Sequence, residues 1–366
     1  MSKTIVSIIS AQPTPNYLLI REIFEPGDEL LFITSTMMKQ NIEYIVNTLD
    51  WDTVSTTTIY LKPGAEERWN EMCDTIESKL NEEKYYAVNL TGGTKYMALA
   101  VQRVFEKHNA TFYYIPFPRN VMLVDNKEIP ITTRLNVEEY LSIHGREIKH
   151  SSPIRDFNEA KHILTKFCNG DLGSDDYYTI DKLRCYRNKN ITISNIEHTI
   201  EDDEKKPSIP NLSHFLEEIN FAPNNFGRLS KAENQYLTGG WFEEYVYYYI
   251  QQEIQPTDIL LGVKLATTNN DLDVVFIKSN KLFVIECKTG IDREKMLTDI
   301  AYKSAAIKDY LKGISAYSYI FALSKDAENW TKISNSMGIG YYGRDYFVDN
   351  KKQASLKENF LSKTCD

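Results

Sequence analysis

The sequence predicts an α/β protein: a Rossmann-like domain, a mostly helical connector and a second, smaller α/β domain. Apolar strand patterns alternate with amphipathic helix patterns over about the first 145 residues. The pattern is then mainly helical, and strands return from about residue 236 in an α-β-β-β-α-β order. Alternation with near-continuously apolar strands is typical of a mainly parallel sheet covered on both faces. We place the three regions at 1–148, 149–235 and 236–366.

The first region contains six strand patterns and four helix patterns. The strands are KTIVSIIS, DELLFITS, TVSTTTIYL, YYAVNLT, ATFYYIPF and VMLVDN. The helices are PNYLLIREIF, TMMKQNIEYIVNTL, GAEERWNEMCDTIESKLN and TKYMALAVQRVFEKHN. Each helix pattern repeats apolar residues at three- and four-residue spacing, which favours packing on a sheet.

The other two regions differ in composition. In the connector, DFNEAKHILTKFCNG and NLSHFLEEINF are helical, YTIDKLRCYRNKNITISNI is ambiguous, and HTIEDDEKKPSIP indicates an exposed loop. The last region begins with the helix TGGWFEEYVYYYIQQEI and the strand DILLGVKLAT. A hairpin DLDVVFIKSNKLFVIECKTG, a helix DREKMLTDIAYKSAAIKDYLKG and a strand AYSYIFAL follow.

Composition excludes several classes of protein. The formal charge of −9 over 366 residues argues against a general nucleic-acid coat protein, so any nucleic-acid site must be local. Five scattered cysteines without a CxxC pair indicate reduced thiols rather than a disulfide framework. No apolar run is long enough for a signal peptide or a membrane span, so we expect a cytoplasmic protein without membrane contact.

Polar, small residues follow several strands of the first region, where ligands bind in open parallel sheets. We expect ligand contacts from three segments and from Asn120 in a fourth, PFPRN. The candidate residues are Ser10, Ala11, Gln12, Pro13, Thr14, Ser35, Thr36, Met37, Asn89, Thr91, Gly92, Gly93, Thr94, Lys95 and Asn120.

The segment LTGGTKYMA between a strand and a helix has the features of an anion site. Glycines allow backbone N–H groups to approach a phosphate, and the helix N-terminus and Lys95 add positive charge. The spacing fits neither GxxxxGK[ST] nor GxGxxG, so the segment predicts binding rather than nucleotide hydrolysis. The alternatives are a plain tight turn and, for Thr94, a helix cap.

A second group of charged residues lies in the hairpin of the last region. In VIECK, Glu286 and Lys288 share one face of the strand and Cys287 lies on the other. If the strands pair around Ser279-Asn280, Asp273 comes within reach of Glu286. Solvated strand ends are the alternative, but charges inside an apolar strand are costly without a purpose. From the residues alone, Cys287 is a small buried apolar side chain.

Two converging carboxylates need a cation or a proton to neutralise their repulsion. Mg²⁺ or Mn²⁺ would do so through oxygen ligands from Asp273 and Glu286, leaving coordination positions for water and a phosphate. Lys288 could then orient that water or neutralise charge on the phosphate. The pattern therefore predicts a metal-dependent phosphodiesterase centre.

The segments GGWFEEYV, DLDVVF and LFVIECKTG resemble the PD-(D/E)xK nuclease superfamily over about 236–330. The resemblance implies that Asp273 and Glu286 bind the metal with the main-chain carbonyl of Cys287, and that Lys288 is the catalytic lysine. It also implies a catalytic helix glutamate, Glu243 or its neighbour Glu244; exposed acids at a helix start are the alternative. Lys303 is a candidate phosphate contact, with a solvated helix face favoured instead.

With VNLTGGTKYMALAV before such a domain, the chain resembles the CARF-plus-PD-(D/E)xK ancillary nucleases of type III CRISPR systems. The resemblance implies a homodimer whose CARF domains together bind a cyclic oligoadenylate, usually cyclic tetra-adenylate. Binding would activate a Mn²⁺- or Mg²⁺-dependent nuclease that cuts single-stranded DNA or RNA, or nicks duplex DNA, in antiviral defence.

Two other functions remain open from the sequence. One is a sensing scaffold with a degenerate nuclease fold that does not cleave. The other is an N-terminal domain that degrades its own activator, for which no general base is evident; His108 and His144 are not placed near the loops. A basic stripe of Lys303, Lys308 and Lys312 is a weaker pattern than an ordinary solvated face.

Overall fold

Two large sheets organise the protein. The structure is a computed structural model, and it describes residues 2–51, 54–125, 127–193, 199–200, 209, 211–266, 271–289, 316–323, 331–332 and 338–364. The strands are β1 (Lys3–Ile8), β2 (Glu29–Ser35), β3 (Ser55–Leu61), β4 (Tyr85–Asn89), β5 (Ala110–Tyr114), β6 (Val121–Val124), β7 (Lys127–Pro130), β8 (Ile148–His150), β9 (Ile191–Thr192), β10 (Thr199–Ile200), β11 (Arg228–Leu229), β12 (Asp258–Leu265), β13 (Asp271–Lys278), β14 (Lys281–Lys288), β15 (Ala316–Ala322) and β16 (Gly340–Tyr342). The helices are α1 (Thr14–Ile23), α2 (Lys39–Leu49), α3 (Trp69–Glu77), α4 (Lys95–Phe105), α5 (Val137–Ser142), α6 (Phe157–Asn169), α7 (Ser174–Cys185), α8 (Leu212–Glu218), α9 (Lys231–Gln235), α10 (Trp241–Glu253), α11 (Asp345–Val348) and α12 (Asn350–Thr364).

The N-terminal sheet has the strand order β3-β2-β1-β4-β5-β6-β7. The first five strands in this order pair in parallel, and β6 and β7 continue the sheet as antiparallel edge strands. The mainly parallel sheet predicted from the sequence is therefore confirmed. The strand order runs one way from β1 to β2 and β3, and the other way from β1 to β4 and β5. Sheets of this kind bind ligands at the carboxyl ends of the strands where the order changes direction.

The C-terminal sheet has the order β16-β15-β14-β13-β12-β8. Strands β13 and β14 form the predicted antiparallel hairpin, with Lys278 opposite Lys281. The two turn residues, Ser279 and Asn280, have φ angles of 51° and 54°, as a type I′ turn requires. Strand β8, which follows the first domain directly, pairs with β12.

The connector is mostly helical, as expected. This region contains helices α6 to α9 and a small sheet of two-residue strands in the order β10-β9-β11. The segment with an ambiguous pattern forms α7 and then β9, and its buried residues include Ile180, Leu183 and Ile191. The helix predicted from DREKMLTDIAYKSAAIKDYLKG, with Lys303, Lys308 and Lys312, lies outside the described residues.

One hydrophobic cluster joins the two domains. It contains Tyr140 and Leu141 from α5 together with Val275 and Ile277 from β13 and Leu282 from β14, all fully buried. Burying an apolar side chain of this size stabilises a fold by about 1.5–3 kcal/mol. The N-terminal and C-terminal domains therefore share a core rather than being joined by a linker alone.

None of the helices in the described part of the chain is long and apolar enough to cross a membrane. The four cysteines within the described residues, Cys73, Cys168, Cys185 and Cys287, are free thiols.

Candidate active site and ligand-binding edge

The hairpin β13–β14 brings the predicted acidic residues together. Val274 lies opposite Ile285, so the residues just beyond this pair, Asp273 and Glu286, meet at the end of the hairpin away from its turn. The Oδ2 atom of Asp273 accepts a hydrogen bond of 2.7 Å from the backbone N–H of Cys287. The predicted proximity of the two acids is confirmed.

The ammonium group of Lys288 lies among three oxygen atoms. Its Nζ is 2.5 Å from Oε1 of Glu286, 3.0 Å from the carbonyl oxygen of Cys287 and 3.5 Å from Oδ2 of Asp273. Asp273 and Glu286 are only 7% and 3% exposed. Burial opposes the protonated form of Lys288, but the two carboxylates outweigh it and raise the pKa of the lysine.

Glu243 in the first turn of α10 belongs to the same electrostatic group. Burial raises the pKa of Glu243 to about 8, and the charge of Asp273 adds to the increase, while Lys288 and Arg187 oppose it. The carboxyl group therefore lies beside the hairpin end, as the resemblance implied for Glu243. Its role in catalysis stays a prediction.

Glu244 lies elsewhere, which corrects the expectation that it could serve the site. Its side chain is 1% exposed, and Oε1 accepts a hydrogen bond from the backbone N–H of Arg155 at the start of the connector. Burial raises the pKa of this carboxyl as well. Successive helix residues project about 100° apart, so only one of the two glutamates can face the hairpin.

Cys287 combines the two features expected of it. The thiol lies in the hydrophobic core, and burial raises its pKa well above the usual range. The carbonyl oxygen instead faces the site, where it accepts the hydrogen bond from Lys288. The side chain is therefore structural, and the main chain supplies the polar atom.

The oxygen atoms around Lys288 suit a hard divalent cation. Two carboxylates and one main-chain carbonyl are the ligand types that Mg²⁺ and Mn²⁺ prefer. In this structure the ammonium group of Lys288 lies between these oxygen atoms. Within the described ranges, no group of three His, Cys, Asp or Glu side chains is placed to hold a metal ion. The described residues therefore offer at most two carboxylates and one main-chain carbonyl to an ion at this position.

The ligand-binding edge lies at the carboxyl ends of β2, β1 and β4, which are neighbours in the sheet. Six of the expected ligand residues are exposed there: Ala11, Gln12, Thr36, Met37, Thr94 and Lys95. Four more are partly exposed: Ser10, Ser35, Thr91 and Gly93. The topology therefore assembles the predicted loops into one surface.

A buried amide network supports this surface and corrects part of the expected ligand set. Asn89 is fully buried, donates to Oδ1 of Asn16 and accepts from the N–H and hydroxyl of Thr91. Asn16, which the sequence did not single out, donates to the carbonyl of Ile8. Pro13 and Thr14 are buried too, because α1 packs its first turns against the sheet. Asn89, Pro13 and Thr14 therefore cannot contact a ligand in this structure.

The two glycines of LTGGTK allow a close approach between the loop and β1. A Cβ atom on Gly92 would lie 1.8 Å from the carbonyl oxygen of Ile8, and one on Gly93, which has a φ of 73°, would lie 2.5 Å from Cγ2 of Ile8. Thr94 caps α4 by accepting a hydrogen bond from the N–H of Met97. Gly92 is buried, so in this geometry it shapes the loop while Thr94 and Lys95 remain exposed.

Asn120 lies at the contact between the domains instead of facing a ligand. Its amide donates to the carbonyl of Ser279 in the hairpin turn, and its Oδ1 accepts from the amide of Asn280. Asn280 also donates to the carbonyl of Thr133 and accepts from the N–H of Leu135. The expectation for Asn120 is corrected: the side chain, 3% exposed, is hydrogen-bonded to the turn of the β13–β14 hairpin.

The histidines considered as general bases have partners outside the ligand loops. Nε2 of His108 lies 3.1 Å from Oε1 of Glu77, and Nδ1 of His144 lies 2.8 Å from the carbonyl of Tyr140. Neither contact brings an imidazole to LTGGTK, so the geometry gives no support to a base for activator degradation.

Comparisons with known proteins agree with both halves of the fold. Residues 4–140 match the family model of the Card1 CARF domain, and residues 230–356 match that of the Card1-like endonuclease domain. The chain therefore contains a Card1 CARF domain followed by a Card1-like endonuclease domain. No curated protein sequence is similar enough to this chain to count as a match.

Solved structures share the whole architecture at low sequence identity. Protein VC1899 from Vibrio cholerae is 18% identical, with 98% of each chain covered and a TM-score of 0.76. Can2 from Sulfobacillus thermosulfidooxidans, solved with cyclic tetra-adenylate, is 19% identical, with both chains fully covered and a TM-score of 0.72. A type III CRISPR defence DNA nuclease activated by cyclic oligoadenylate is 16% identical, with 98% of this chain and 52% of that chain covered and a TM-score of 0.57.

Proposed function

We propose that this protein is an endonuclease that a cyclic oligoadenylate, in the first place cyclic tetra-adenylate, activates in antiviral defence. It cuts single-stranded DNA or RNA, or nicks duplex DNA, with Mn²⁺ or Mg²⁺, and acts as a homodimer in the cytoplasm. The observation that carries the proposal is the convergence of Asp273, Glu286 and Lys288 at one end of a hairpin. The ligand of Can2 and the activity named for the CRISPR defence nuclease support the choice of activator.

The chain's own residues provide the following chemistry. Asp273, Glu286 and the carbonyl of Cys287 would hold the divalent ion, which would supply Lewis-acid polarisation of a phosphoryl oxygen. Lys288 remains protonated in this acidic surrounding and stabilises negative charge that develops on the phosphate. Glu243, with a pKa of about 8, holds its proton at neutral pH until positive charge nearby lowers that pKa.

The activator occupies the edge formed by the loops after β1, β2 and β4. Thr94 and Lys95 are exposed at the start of α4, where N–H groups and the helix dipole favour a phosphate. Exposed apolar side chains adjoin the edge: Met37 at 83%, Leu99 at 57% and Tyr96 at 40% exposure. A second copy of the chain covers these side chains, so that two edges clasp one two-fold symmetric ring.

The signal reaches the active site through the hairpin. Its turn is hydrogen-bonded to Asn120 and Leu135 of the sensor domain. About six residues of β14 separate the turn from Glu286, roughly 20 Å of strand. A shift of the sensor domain therefore moves a stiff two-stranded element whose other end carries the catalytic groups.

The test is a cleavage panel on the purified protein. Labelled single-stranded and duplex DNA and RNA are incubated with Mg²⁺ or Mn²⁺, with and without each cyclic oligoadenylate. The proposal expects cleavage that requires both metal and cyclic tetra-adenylate. Tight activator binding without cleavage under any condition would instead establish a non-cleaving sensor.

A further inference from the structure

The C-terminal turn of α7 lies against the end of the nuclease hairpin. Nη2 of Arg184 donates a 3.3 Å hydrogen bond to the hydroxyl of Thr289, the residue after Lys288. A methyl group placed on Gly239 would lie 3.8 Å from that hydroxyl and 3.9 Å from Nη2 of Arg187. Two arginines of the connector therefore stand beside the strand end that carries the catalytic lysine.

Hydrogen bonds fix this turn to the segment that leads into α10. The amide of Asn234 donates to the carbonyl of Tyr186 at 2.7 Å, and the amide of Gln235 donates to Oδ1 of Asn188 at 3.0 Å. The same segment continues to Glu243 within one short turn (Tyr236–Gly240). These hydrogen bonds therefore fix the turn that carries Arg187 relative to the active site.

Arg187 differs from the other cations of the site in its partners. Lys288 is bonded to Glu286, and Arg184 forms a 2.9 Å ion pair with Asp181. Arg187 is exposed, and its guanidinium has no hydrogen bond or ion pair among the residues that the structure describes. Its charge nevertheless acts on Glu243 and opposes the rise of that residue's pKa. Its donors are thus available next to the carboxylates.

We infer that Arg187 binds a backbone phosphate of the nucleic-acid strand next to the scissile bond. The inference rests on the proposed function. A guanidinium offers paired N–H donors that match a phosphate, and a charge-assisted pair of this kind is among the stronger hydrogen bonds. It gives a chain of net charge −9 a local cationic contact beside the active site. Arg184, held by Asp181 and Thr289, positions the turn.

The test measures binding without cleavage. On a Glu286→Gln background in EDTA, with cyclic tetra-adenylate present, fluorescence anisotropy follows labelled single-stranded DNA and RNA oligonucleotides over a salt series. Arg187→Ala is expected to weaken binding about 10-fold or more and to reduce the slope of log K against log salt by about 0.7. Arg187→Lys should keep the salt slope but recover only part of the affinity, because a lysine keeps the charge and lacks the paired N–H donors of a guanidinium.

Lys182→Ala is the matched control, because Lys182 lies in α7, five residues before Arg187, with its ammonium 5.0 Å from the ring centre of Tyr178. It should leave affinity and salt slope unchanged. One result would overturn this inference alone: the unmutated protein cuts with activator, but adding Arg187→Ala to the Glu286→Gln variant changes neither its affinity nor its salt slope. An unmutated protein that neither binds nor cuts any oligonucleotide would overturn the proposed function with it.

Discussion

The nuclease end and the sensor edge use polar groups in different ways. At the nuclease end, Asp273, Glu286 and Lys288 are charged side chains on strands, packed against one another and largely withdrawn from water. At the sensor edge, the polar side chains below the surface are satisfied internally, as Asn89 shows, and the exposed loops offer backbone groups and one lysine. We therefore expect chemistry at the first site to depend on individual side chains, and ligand binding at the second to be spread over loop backbone.

The largest effect is expected at the nuclease end. Glu286→Gln and Lys288→Met should each lower the rate of activated cleavage by at least about 100- to 1000-fold, because the first removes a proposed metal ligand and the second removes the positive charge proposed to stabilise the reacting phosphate. Single-turnover cleavage gives the rate, and calorimetric titration should show unchanged affinity for cyclic tetra-adenylate.

Asp271→Asn is the control for this pair, since Asp271 forms an exposed ion pair of 3.4 Å with Lys264 on the same sheet. Such pairs contribute about 0–1 kcal/mol, so cleavage should persist. A Glu286→Gln/Lys288→Met double variant that cuts at the unmutated rate would refute the assignment of the site.

The opposite result is expected at the sensor edge. Lys95→Ala should weaken activator binding by about 10- to 100-fold through the loss of one charged hydrogen bond, while the cleavage rate at saturating activator stays unchanged. Lys107→Ala, just past the other end of α4, removes a lysine paired with Glu77 and should leave binding intact. Equal affinities for the two variants would show that Lys95 contacts no phosphate.

The hairpin turn connects the two sites, so it tests whether they are coupled. Asn280→Gly keeps a residue suited to the positive φ of 54° but leaves the N–H of Leu135 unpaired. We expect the free energy of unfolding to fall by about 1–3 kcal/mol and the ratio of activated to basal cleavage to fall several-fold. Ser279→Gly preserves the carbonyl that Asn120 uses and should retain that ratio. An unchanged ratio in both variants would exclude this route.

The same difference explains what the sequence could predict. Asp273, Glu286 and Lys288 are recognisable because charges inside an apolar strand need a purpose, and strand periodicity fixes which of them share a face. The order of strands and loops followed from apolar alternation. These properties are local, so the sequence alone was sufficient for them.

Other features depend on packing between distant segments. Asn89 became a buried support because Asn16, 73 residues away, reaches it from α1. Asn120 bonds to Asn280, 160 residues away, and no local pattern reports that contact. Which of Glu243 and Glu244 faces the site depends on the rotation of α10, which the burial of its neighbours Trp241 and Phe242 fixes. Such features require the fold before they can be assigned.

The smallest effect concerns His144, which follows α5 and stacks on Tyr140, away from the hairpin end that carries Asp273 and Glu286. Burial lowers the pKa of His144 to about 4, and its Nε2 has no partner among the described residues. The unfolded chain therefore binds more protons between the ordinary histidine pKa of about 6.5 and pH 4. The free energy of unfolding should be complete above pH 6.5 and fall as the pH drops towards 4, by at most about 1.4 kcal/mol per pH unit. Urea unfolding should show that the free energy of unfolding depends less on pH in this window for His144→Gln than for the control His150→Gln, which replaces an exposed histidine of β8. Identical pH dependences would mean that His144 is protonated without penalty in the folded protein.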